Sequence, residues 1–334
     1  MILAKALKIG DCIAVFSPSS PATLTAQKRY LRGKQYLEQK GFHIIEGTLT
    51  GKSDFYRSGT ILERAEELNT LIHNPEVKCI MAAIGGMNSN SLLPYIDYEA
   101  LIHNPKIIIG YSDITALLLA IYQKTGLITY YGPTMVASFG EFSPFVDMTY
   151  EYFSNLLMLQ SKFPYTPQMP SVWTDEFINW NTQTSSKTAF TNNWITLQPG
   201  KAKGRLIGGN LNTMEGIWGS EYMPKIKKGD ILLLEDSLKD AATIERSFSL
   251  LKINGVFDQI GGLILGKHEL FNDLGTGRKP YEILQEVMGD VHFPILADFD
   301  CCHTHPMISL PIGCEIELDS THKKVTVLSE FISV

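Results

Sequence analysis

Short apolar runs alternate with helical patterns through the first half of this chain. The strand-like runs are IAVF, GFHIIEG, VKCIMAAIGG and KIIIGYSD, and the clearest helical patterns are ILERAEELNTLIHN and ITALLLAIYQKTG. Strands that alternate with helices usually pair in parallel, because a parallel pair needs a long crossover connection that is most often a helix. We therefore predict an N-terminal α/β domain over residues 1–160, built on a doubly wound, mainly parallel sheet.

Residues 161–200 have a different character. They are rich in Pro, Thr, Ser and Asn, show little apolar periodicity and contain three of the four tryptophans, Trp173, Trp180 and Trp194. A structureless segment of this length is uncommon in a compact domain unless it is functional. We predict a tryptophan-bearing loop or linker with a functional role.

Residues 201–334 predict a second domain of the α+β type. Strand-like runs occur in GRLIGGN, DILLLED, IGGLILGKH, ISLPIGCEIELD and KKVTVLSEF, with clear helices at AATIERSFSLLKING and PYEILQEVM. Several short strands with few helices between them are typical of a mixed or barrel-like sheet.

The composition narrows the classes of function. A chain of 334 residues is about two domains long, and 44% hydrophobic with 19% charged residues excludes wholesale disorder. A formal net charge of −6 without a long Lys/Arg run argues against a nucleic-acid partner. Five cysteines without CxxC spacing, no signal-peptide pattern and no membrane-length apolar stretch predict a cytoplasmic protein with reduced thiols and no membrane partner.

Ser112 is the first candidate catalytic residue. It follows the buried-strand pattern KIIIG and directly precedes a strongly apolar helix, which is the arrangement of a nucleophile elbow. In such a turn the serine is raised above the sheet, and the next amide together with the helix N-terminus faces a developing oxyanion. Because the GxSxG pattern is absent, this motif taken alone favours the simpler interpretation that Ser112 or Asp113 caps the helix.

Gly85 and Gly86 form the second candidate feature, at the end of the neighbouring strand pattern. They are either a plain turn or a place where backbone amides approach a ligand closely, as an oxyanion hole or an anion cradle. The segment is neither GxGxxG nor a P-loop, so no dinucleotide cofactor is predicted. In a parallel sheet this turn and that of Ser112 lie at the same edge.

Glu235 and His303 are candidate acid and base in the second half. Glu235 ends the apolar run ILLLE, where a carboxylate is tolerated only at an exposed strand end or with a partner. A salt bridge is the alternative role for it. His303 and His305 lie together in CCHTHPMISLPIG.

A metal centre is the competing interpretation of this region. The further acids and histidines that suggest it are His268, Glu269, Asp298 and Asp300. Their spacing fits no HxxxH or HExxH helix, so we rank metal-dependent hydrolysis below a serine mechanism and predict no metal and no cofactor.

The motifs around Ser112, Glu235 and His303 resemble, in order and context, those of the LD-carboxypeptidase and microcin C immunity family of serine peptidases. The resemblance covers nearly the whole chain, with landmarks in GDCIAVFSPSSP, RSGTILERAEELN, IGGMNSNSLLPYIDY, IIGYSDITALL, YYGPT, GRLIGGNLNT and HTHPMISLPIG. It implies a serine hydrolase with a Ser-Glu-His triad. The family pattern places Gly before the catalytic histidine, where this chain has Cys302, and thereby selects His303 rather than His305.

The resemblance also implies oxyanion donors at Gly86, Met87 and Asp113, and a homodimer. With the nucleophile on the first domain and the acid and base on the second, we expect the active site in a cleft between the domains.

Two substrate classes are open within the family. One is the terminal D-Ala of a muropeptide, and the other is the amide of a peptidyl or aminoacyl nucleotide antibiotic of the microcin C type. The stretch WTDEFINW resembles the immunity branch, in which an aromatic loop stacks on the nucleobase, and this favours the nucleotide. Trp180 is the expected stacking residue and Trp173 the second choice, although either tryptophan could simply pack under the loop.

Three further residues are predicted to bind substrate. Asn210 lies in the GRLIGGNLNT landmark, and Lys239 and Arg246 follow Glu235 and could neutralise a phosphate or carboxylate. Arg246 could equally form a surface salt bridge. A non-catalytic protein that binds a nucleotide or peptidoglycan fragment in the same cleft is a third interpretation, which the presence of nucleophile, acid and histidine in their own motifs disfavours.

Overall fold

The computed structural model of this protein describes residues 1–158 and 163–333. Its first half contains, in chain order, β1 (Cys12–Phe16), α1 (Ala22–Thr25), α2 (Gln27–Gln39), β2 (His43–Glu46), α3 (Ile61–His73), β3 (Val77–Ala82), α4 (Tyr98–His103), β4 (Ile107–Gly110), α5 (Thr115–Thr125), β5 (Thr129–Tyr131) and α6 (Phe145–Leu157).

The second half begins with three short strands and continues with alternating strands and helices. In chain order these are β6 (Val172–Trp173), β7 (Phe190–Thr191), β8 (Ile195–Gln198), β9 (Lys201–Asn210), α7 (Leu211–Glu215), β10 (Ile231–Glu235), α8 (Ala241–Ile253), β11 (Gly262–Gly266), α9 (Pro280–Met288), β12 (Ile295–Phe299), β13 (Leu310–Ile312), β14 (Glu315–Asp319) and β15 (Lys324–Val327). Within the described residues, none of the helices has the length and apolar character needed to span a bilayer.

The first sheet has six strands in the order β13-β5-β4-β3-β1-β2. Strands β1 to β5 are parallel to their neighbours, and β13 is antiparallel to β5. Every residue of β4 and β5 is buried, as is all of β3 except Lys78, which explains why these strands are continuous apolar runs. The predicted doubly wound, mainly parallel sheet is confirmed.

The strand order of this sheet reverses at β1, because β2 pairs on one side of it and β3 on the other. In open parallel sheets, ligands bind outside the carboxyl ends of the strands at such a reversal. The loop after β1 carries Ser19 and Ser20, and the loop after β3 carries Gly85 and Gly86. The two loops touch, since the Ser20 amide donates to the Gly85 carbonyl at 3.1 Å.

The second sheet has seven strands in the order β15-β14-β9-β10-β11-β12-β8. Strands β9 to β12 are parallel, whereas the outer strands on both sides are antiparallel. This confirms a mixed sheet. Glu235, the last residue of β10, lies beside Asn210 at the end of β9, so both side chains emerge at the same edge.

The run ISLPIGCEIELD, predicted for the second domain, divides between the two sheets. Strand β13 extends the first sheet and β14 the second, with Gly313 between them at a φ of +93°. The apolar residues on both sides of the glycine are buried. No polar residue next to Gly313 therefore marks the point at which the chain passes from the first sheet to the second.

Part of the segment predicted as a loop is also built into the fold. Strands β6 and β7 pair with each other, and β8 forms an edge of the second sheet. Trp194 is buried, and its indole N–H donates to the Asp300 carboxylate at 2.7 Å. Residues 161 and 162, at the start of this segment, lie outside the described residues.

Candidate active site

Ser112 lies in the sharp turn between β4 and α5. Its φ is +64°, which non-glycine residues rarely adopt and which costs on the order of 1–3 kcal/mol. The Ser112 side chain does not cap α5, so the capping alternative for Ser112 does not hold. Instead, the turn presents the hydroxyl to the space between the two sheets, as a nucleophile elbow does.

Three side chains from distant parts of the chain meet at this turn. The Ser112 hydroxyl donates to His303 Nε2 at 2.9 Å, and His303 Nδ1 donates to Glu235 Oε2 at 2.6 Å. This pattern corresponds to the imidazole tautomer that carries its proton on Nδ1 and leaves Nε2 as an acceptor. Nucleophile, base and acid are therefore arranged as in a serine hydrolase triad.

Glu235 is fully enclosed by its hydrogen-bond partners. Its side chain has no exposed surface, and Oε1 accepts from the Tyr131 hydroxyl at 2.5 Å and from Asn210 Nδ2 at 3.0 Å. A buried carboxylate needs such partners because an unpaired one would be expensive to desolvate. Asn210 thus contacts the acid of the triad directly.

Tyr131 connects the two sides of the triad and is not among the site residues predicted from the sequence. Its hydroxyl donates to Glu235 and also accepts the backbone N–H of Ser112 at 3.2 Å. The same oxygen therefore helps to hold the strained serine turn and the acid. The only sequence signal was its place in the YYGPT landmark, beside the end of β4.

The pKa values of the acid and base are shifted in opposite directions. Burial alone would lower the pKa of His303, but the Glu235 carboxylate and its hydrogen bond raise that pKa above the ordinary value. Burial alone would raise the pKa of Glu235, but His303, Tyr131 and Asn210 hold it below the ordinary value. Both directions indicate that Glu235 stabilises positive charge on the imidazole.

The glycine loop after β3 lies directly against the serine. A Cβ atom on Gly85 would lie 3.0 Å from Ser112 Cβ and 3.1 Å from Ser112 Oγ. A Cβ atom on Gly86, which has a φ of +155°, would overlap Ser19 Oγ. Glycine at these positions allows the backbone to approach the nucleophile closely.

The three predicted oxyanion donors differ in their surroundings. The Met87 amide already donates to Ser19 Oγ at 3.1 Å. In the part of the chain that the structure describes, no protein acceptor is found for the amides of Gly86 and Asp113. These two amides are therefore available to a bound carbonyl oxygen, whereas the Met87 amide would first have to leave its partner.

The Asp113 side chain joins the serine turn to the glycine loop. Its carboxylate accepts from the amides of Asn88 and Ser89, each at 3.0 Å, and the Ser89 hydroxyl donates to the Asp113 carbonyl. Asp113 is 3% exposed, so these bonds are shielded from water. The side chain fixes the distance between the two loops that carry the candidate oxyanion donors.

A cleft of about 310 Å³ opens above the triad, within the usual size of a small-molecule site. Both halves of the chain line it, which is the location expected from the sequence. Its walls include, from the first half, Ser20, Gly86, Met87, Tyr111 and Ser112, and from the second half Trp180, Lys187, Asn210, Asn212, Asp236, Lys239, Glu269, His303 and His305.

Three of the five predicted substrate-binding residues, Trp180, Asn210 and Lys239, line this cleft. The other two lie elsewhere. Trp173 lines a neighbouring cavity, where Lys267 approaches its ring to 5.4 Å and Phe190 packs against it. Arg246 has a 71% exposed side chain on α8, 3.8 Å from Glu215, which is the surface ion pair considered as its alternative role.

A buried charge network anchors the loop that carries Trp180. Arg29 on α2 is fully buried, and its guanidinium donates to the Glu141 carboxylate at 2.7 Å and to the Gln183 side chain. Gln183 also donates to Glu141, and Arg29 lies 5.0 Å from the centre of the Trp180 ring. Lys187, also in this loop, lies 3.9 Å from Glu141. No local pattern signals this network, because its members are charged or polar residues far apart in sequence.

The acids and histidines that suggested a metal centre have other surroundings in the described residues. Among residues 1–158 and 163–333, no group of three or more His, Cys, Asp or Glu side chains is arranged to hold a metal ion. His305 is buried 3.9 Å from Glu141, and Asp300 accepts hydrogen bonds from Lys267 and Trp194.

Two family models match the chain, one in each half. The LD-carboxypeptidase N-terminal domain matches residues 13–132, and the LD-carboxypeptidase C-terminal domain matches residues 203–318. The chain belongs to the LD-carboxypeptidase family. It is therefore a carboxypeptidase-like serine peptidase, as the sequence motifs predict.

Relatives of known name match the chain over almost their full length. The chain is 60% identical over 320 residues to a putative carboxypeptidase of Vibrio cholerae, covering 96% of this chain and 95% of the relative. It is 54% identical over 334 residues to the microcin C7 self-immunity protein MccF of Escherichia coli, covering 99% and 97%. A solved structure of MccF in complex with aspartyl sulfamoyl adenosine covers both chains completely, with a TM-score of 0.97 and 54% identity. These matches confirm the predicted family and the resemblance to its immunity branch.

Proposed function

We propose that this protein hydrolyses the amide of peptidyl or aminoacyl nucleotides of the microcin C type and thereby gives self-immunity or detoxification. The observation that carries the proposal is the 54% identity to MccF over nearly the whole chain. Solved structures of MccF contain aspartyl sulfamoyl adenosine and glutamyl sulfamoyl guanosine, in which an acyl group is linked to a nucleoside. A cleft with Ser112 at its base and the aromatic side chains of Tyr111 and Trp180 in its walls suits such ligands.

The proposed chemistry begins at Ser112. His303 Nε2 takes the hydroxyl proton while Oγ attacks the acyl carbonyl carbon, and Glu235 stabilises the resulting imidazolium. The imidazolium then returns the proton to the leaving nitrogen, and the C–N bond breaks to leave an ester on Ser112. Water activated by the same histidine hydrolyses the ester, which regenerates the serine and releases the amino acid or peptide.

The oxyanion formed during both steps is proposed to accept from the amides of Gly86 and Asp113. Loss of one such donor typically lowers the rate by about 100- to 1000-fold. Asp113 supports this arrangement through its bonds to the amides of Asn88 and Ser89.

Substrate recognition is proposed to involve Trp180 and Lys239, which both line the cleft. Trp180 would stack on the nucleobase, and the Arg29 network would hold its loop in place. The Lys239 ammonium would bind a phosphate or carboxylate of the substrate. Asn210 is proposed to act mainly through Glu235, to which it donates.

The proposal includes a cytoplasmic homodimer and the division of the chain into domains 1–160 and 201–334, joined by residues 161–200. All five cysteines are unpaired, which suits a reducing compartment. Sedimentation velocity over a range of protein concentrations measures the oligomeric state.

The test offers the purified protein two substrates in parallel. These are aspartyl sulfamoyl adenosine and a muropeptide tetrapeptide with an LD-linked terminal D-Ala, with products separated by chromatography and identified by mass. The proposal expects hydrolysis of the first with a higher kcat/KM than the second. A preference for the muropeptide would assign the protein to peptidoglycan recycling, and ligand-induced thermal stabilisation without turnover of either compound would indicate a binding protein.

A further inference from the structure

Two carboxylates line the cleft beside the triad, and they differ in their partners. Asp236 is 8% exposed, and its carboxylate accepts hydrogen bonds from Asn210 Nδ2 and from the backbone amides of Asn212 and Ser237. The Glu269 carboxylate, by contrast, has no hydrogen bond or ion pair with any residue in the described ranges. The cleft therefore contains one carboxylate whose binding capacity is unused.

The backbone of Glu269 is held firmly although its side chain is free. Its carbonyl accepts the Leu238 amide at 2.9 Å, and Ser237 and Glu269 form a parallel bridge. This pairing continues the β10–β11 ladder beyond Glu235, so Glu269 is fixed to the strand that positions the acid of the triad. A side chain on such a rigid support is suited to specific recognition.

Glu269 lies within electrostatic range of the reacting groups. Burial is the main cause that raises the pKa of Tyr111, and the Glu269 charge adds to it. Glu235 is the main cause that raises the pKa of His303, and the Glu269 charge adds to that as well. All three residues, Tyr111, Glu269 and His303, line the same cleft. Burial raises the pKa of Glu269 itself, with His303 and Lys187 opposing the shift. Lys187 does not form an ion pair with it, and its nearest carboxylate is Glu141 at 3.9 Å.

The proposed substrate has a cation in the matching place. In an aminoacyl nucleotide the α-ammonium group is one carbon away from the carbonyl that Ser112 attacks, so it must lie beside the triad when the substrate is bound. A partly buried carboxylate without a partner gains most from an incoming cation, because a charge-assisted hydrogen bond replaces an unpaired charge.

We propose that Glu269 binds the α-ammonium group of the acyl residue and so forms a subsite for substrates with a free amino group next to the scissile carbonyl. This inference rests on the proposed function. The carboxylate accepts one or two N–H bonds from the ammonium, and no proton is transferred.

The test compares aspartyl sulfamoyl adenosine with its Nα-acetyl derivative, which has no cation at that position. The ratio of kcat/KM for the free-amine substrate to that for the acetylated substrate is measured in wild type and in Glu269→Gln. We expect the ratio to fall about tenfold to hundredfold in the variant, the usual effect of losing a hydrogen bond to a charged group. Glu269→Asp, which keeps the charge but shortens its reach, should give a ratio between the two.

The matched control is Glu245→Gln, which removes the same charge from an exposed position on α8. It should leave the ratio at the wild-type value. An equal loss for both substrates in Glu269→Gln would overturn the inference, since Glu269 would then act only through the electrostatics of His303. Failure of the wild type to hydrolyse either compound would instead contradict the proposed function.

Discussion

The triad and the proposed recognition groups of the cleft are held in different ways. Ser112, His303 and Glu235 form one hydrogen-bonded chain, and both oxygens of Glu235 are occupied. Lys239 and Glu269 line the same cleft, but within the described residues neither side chain has a hydrogen bond or ion pair. The geometry of the triad is thus set before a substrate arrives, whereas the two proposed recognition groups have side chains that a substrate can still bind.

The largest effect that tests this contrast is expected at Glu235. Replacement by Gln keeps the size of the side chain but removes the charge that holds His303 in its tautomer and stabilises the imidazolium. An equivalent change in a Ser-His-Asp triad lowers kcat by about 10⁴-fold, and we expect a similar loss here. Steady-state kinetics with aspartyl sulfamoyl adenosine measure it, and a loss below tenfold would mean that the acid is not preorganised.

A smaller but informative effect is expected for Tyr131→Phe. The change removes only the oxygen that contacts both the Ser112 amide and Glu235. We expect kcat to fall about tenfold to hundredfold, as for the loss of a hydrogen bond to a charged group, with KM nearly unchanged. Tyr130→Phe is the matched control, because the Tyr130 hydroxyl donates to the Phe331 carbonyl away from the triad. Equal losses of kcat in the two variants would show that Tyr131 contributes only to packing.

On the recognition side, Trp180→Ala should raise KM for aspartyl sulfamoyl adenosine about tenfold, the equivalent of about 1.4 kcal/mol of base stacking. A small acyl ester without a base should be hydrolysed almost as well as by the wild type. Trp173→Ala is the matched control, since Trp173 lines the neighbouring cavity. If Trp180→Ala impaired hydrolysis of both substrates equally, this would show that Trp180 supports the structure of the loop and does not stack on the base.

The smallest effect concerns pH. His303 must be neutral to accept the serine proton, and its pKa is raised above the ordinary value of about 6.5. As pH falls through this raised pKa, His303 becomes protonated and kcat/KM should decline, so half-maximal activity should lie above about pH 6.5. Residual activity of Glu235→Gln should persist to lower pH, because the main cause that raises the pKa is gone. The carboxyl of Asp236, with a pKa raised to about 6, titrates nearby. Its charge is the smallest of the causes that raise the pKa of His303, so Asp236→Asn should move the His303 limb to lower pH by less than Glu235→Gln does.

Local sequence patterns were sufficient to predict the two elements on either side of Ser112. Strand β4 is an uninterrupted apolar run and α5 is strongly apolar, so the position of Ser112 between them could be predicted without tertiary information. The family motifs then supplied Glu235 and His303, which the structure brings to Ser112 at hydrogen-bond distance.

The features that could not be predicted depend on contacts between distant segments. Tyr131 reaches Glu235 across 104 residues of sequence, and Arg29 reaches Glu141 across 112. Strand β13 crosses to the first sheet within a run whose apolar pattern is continuous on both sides of Gly313. In each case the contact or strand pairing forms only because the complete fold brings together segments that are distant in the sequence.

The most direct measurement of the central claim combines covalent labelling of the serine with turnover. Wild type and Ser112→Ala are treated with a fluorophosphonate, analysed by peptide mass spectrometry and assayed on aspartyl sulfamoyl adenosine. We predict that the wild type is labelled on Ser112 and loses its activity in proportion. The variant should keep the wild-type circular dichroism spectrum, take up no label and lack measurable turnover. Near wild-type hydrolysis by Ser112→Ala, or inhibition by a chelator but not by the fluorophosphonate, would contradict the triad.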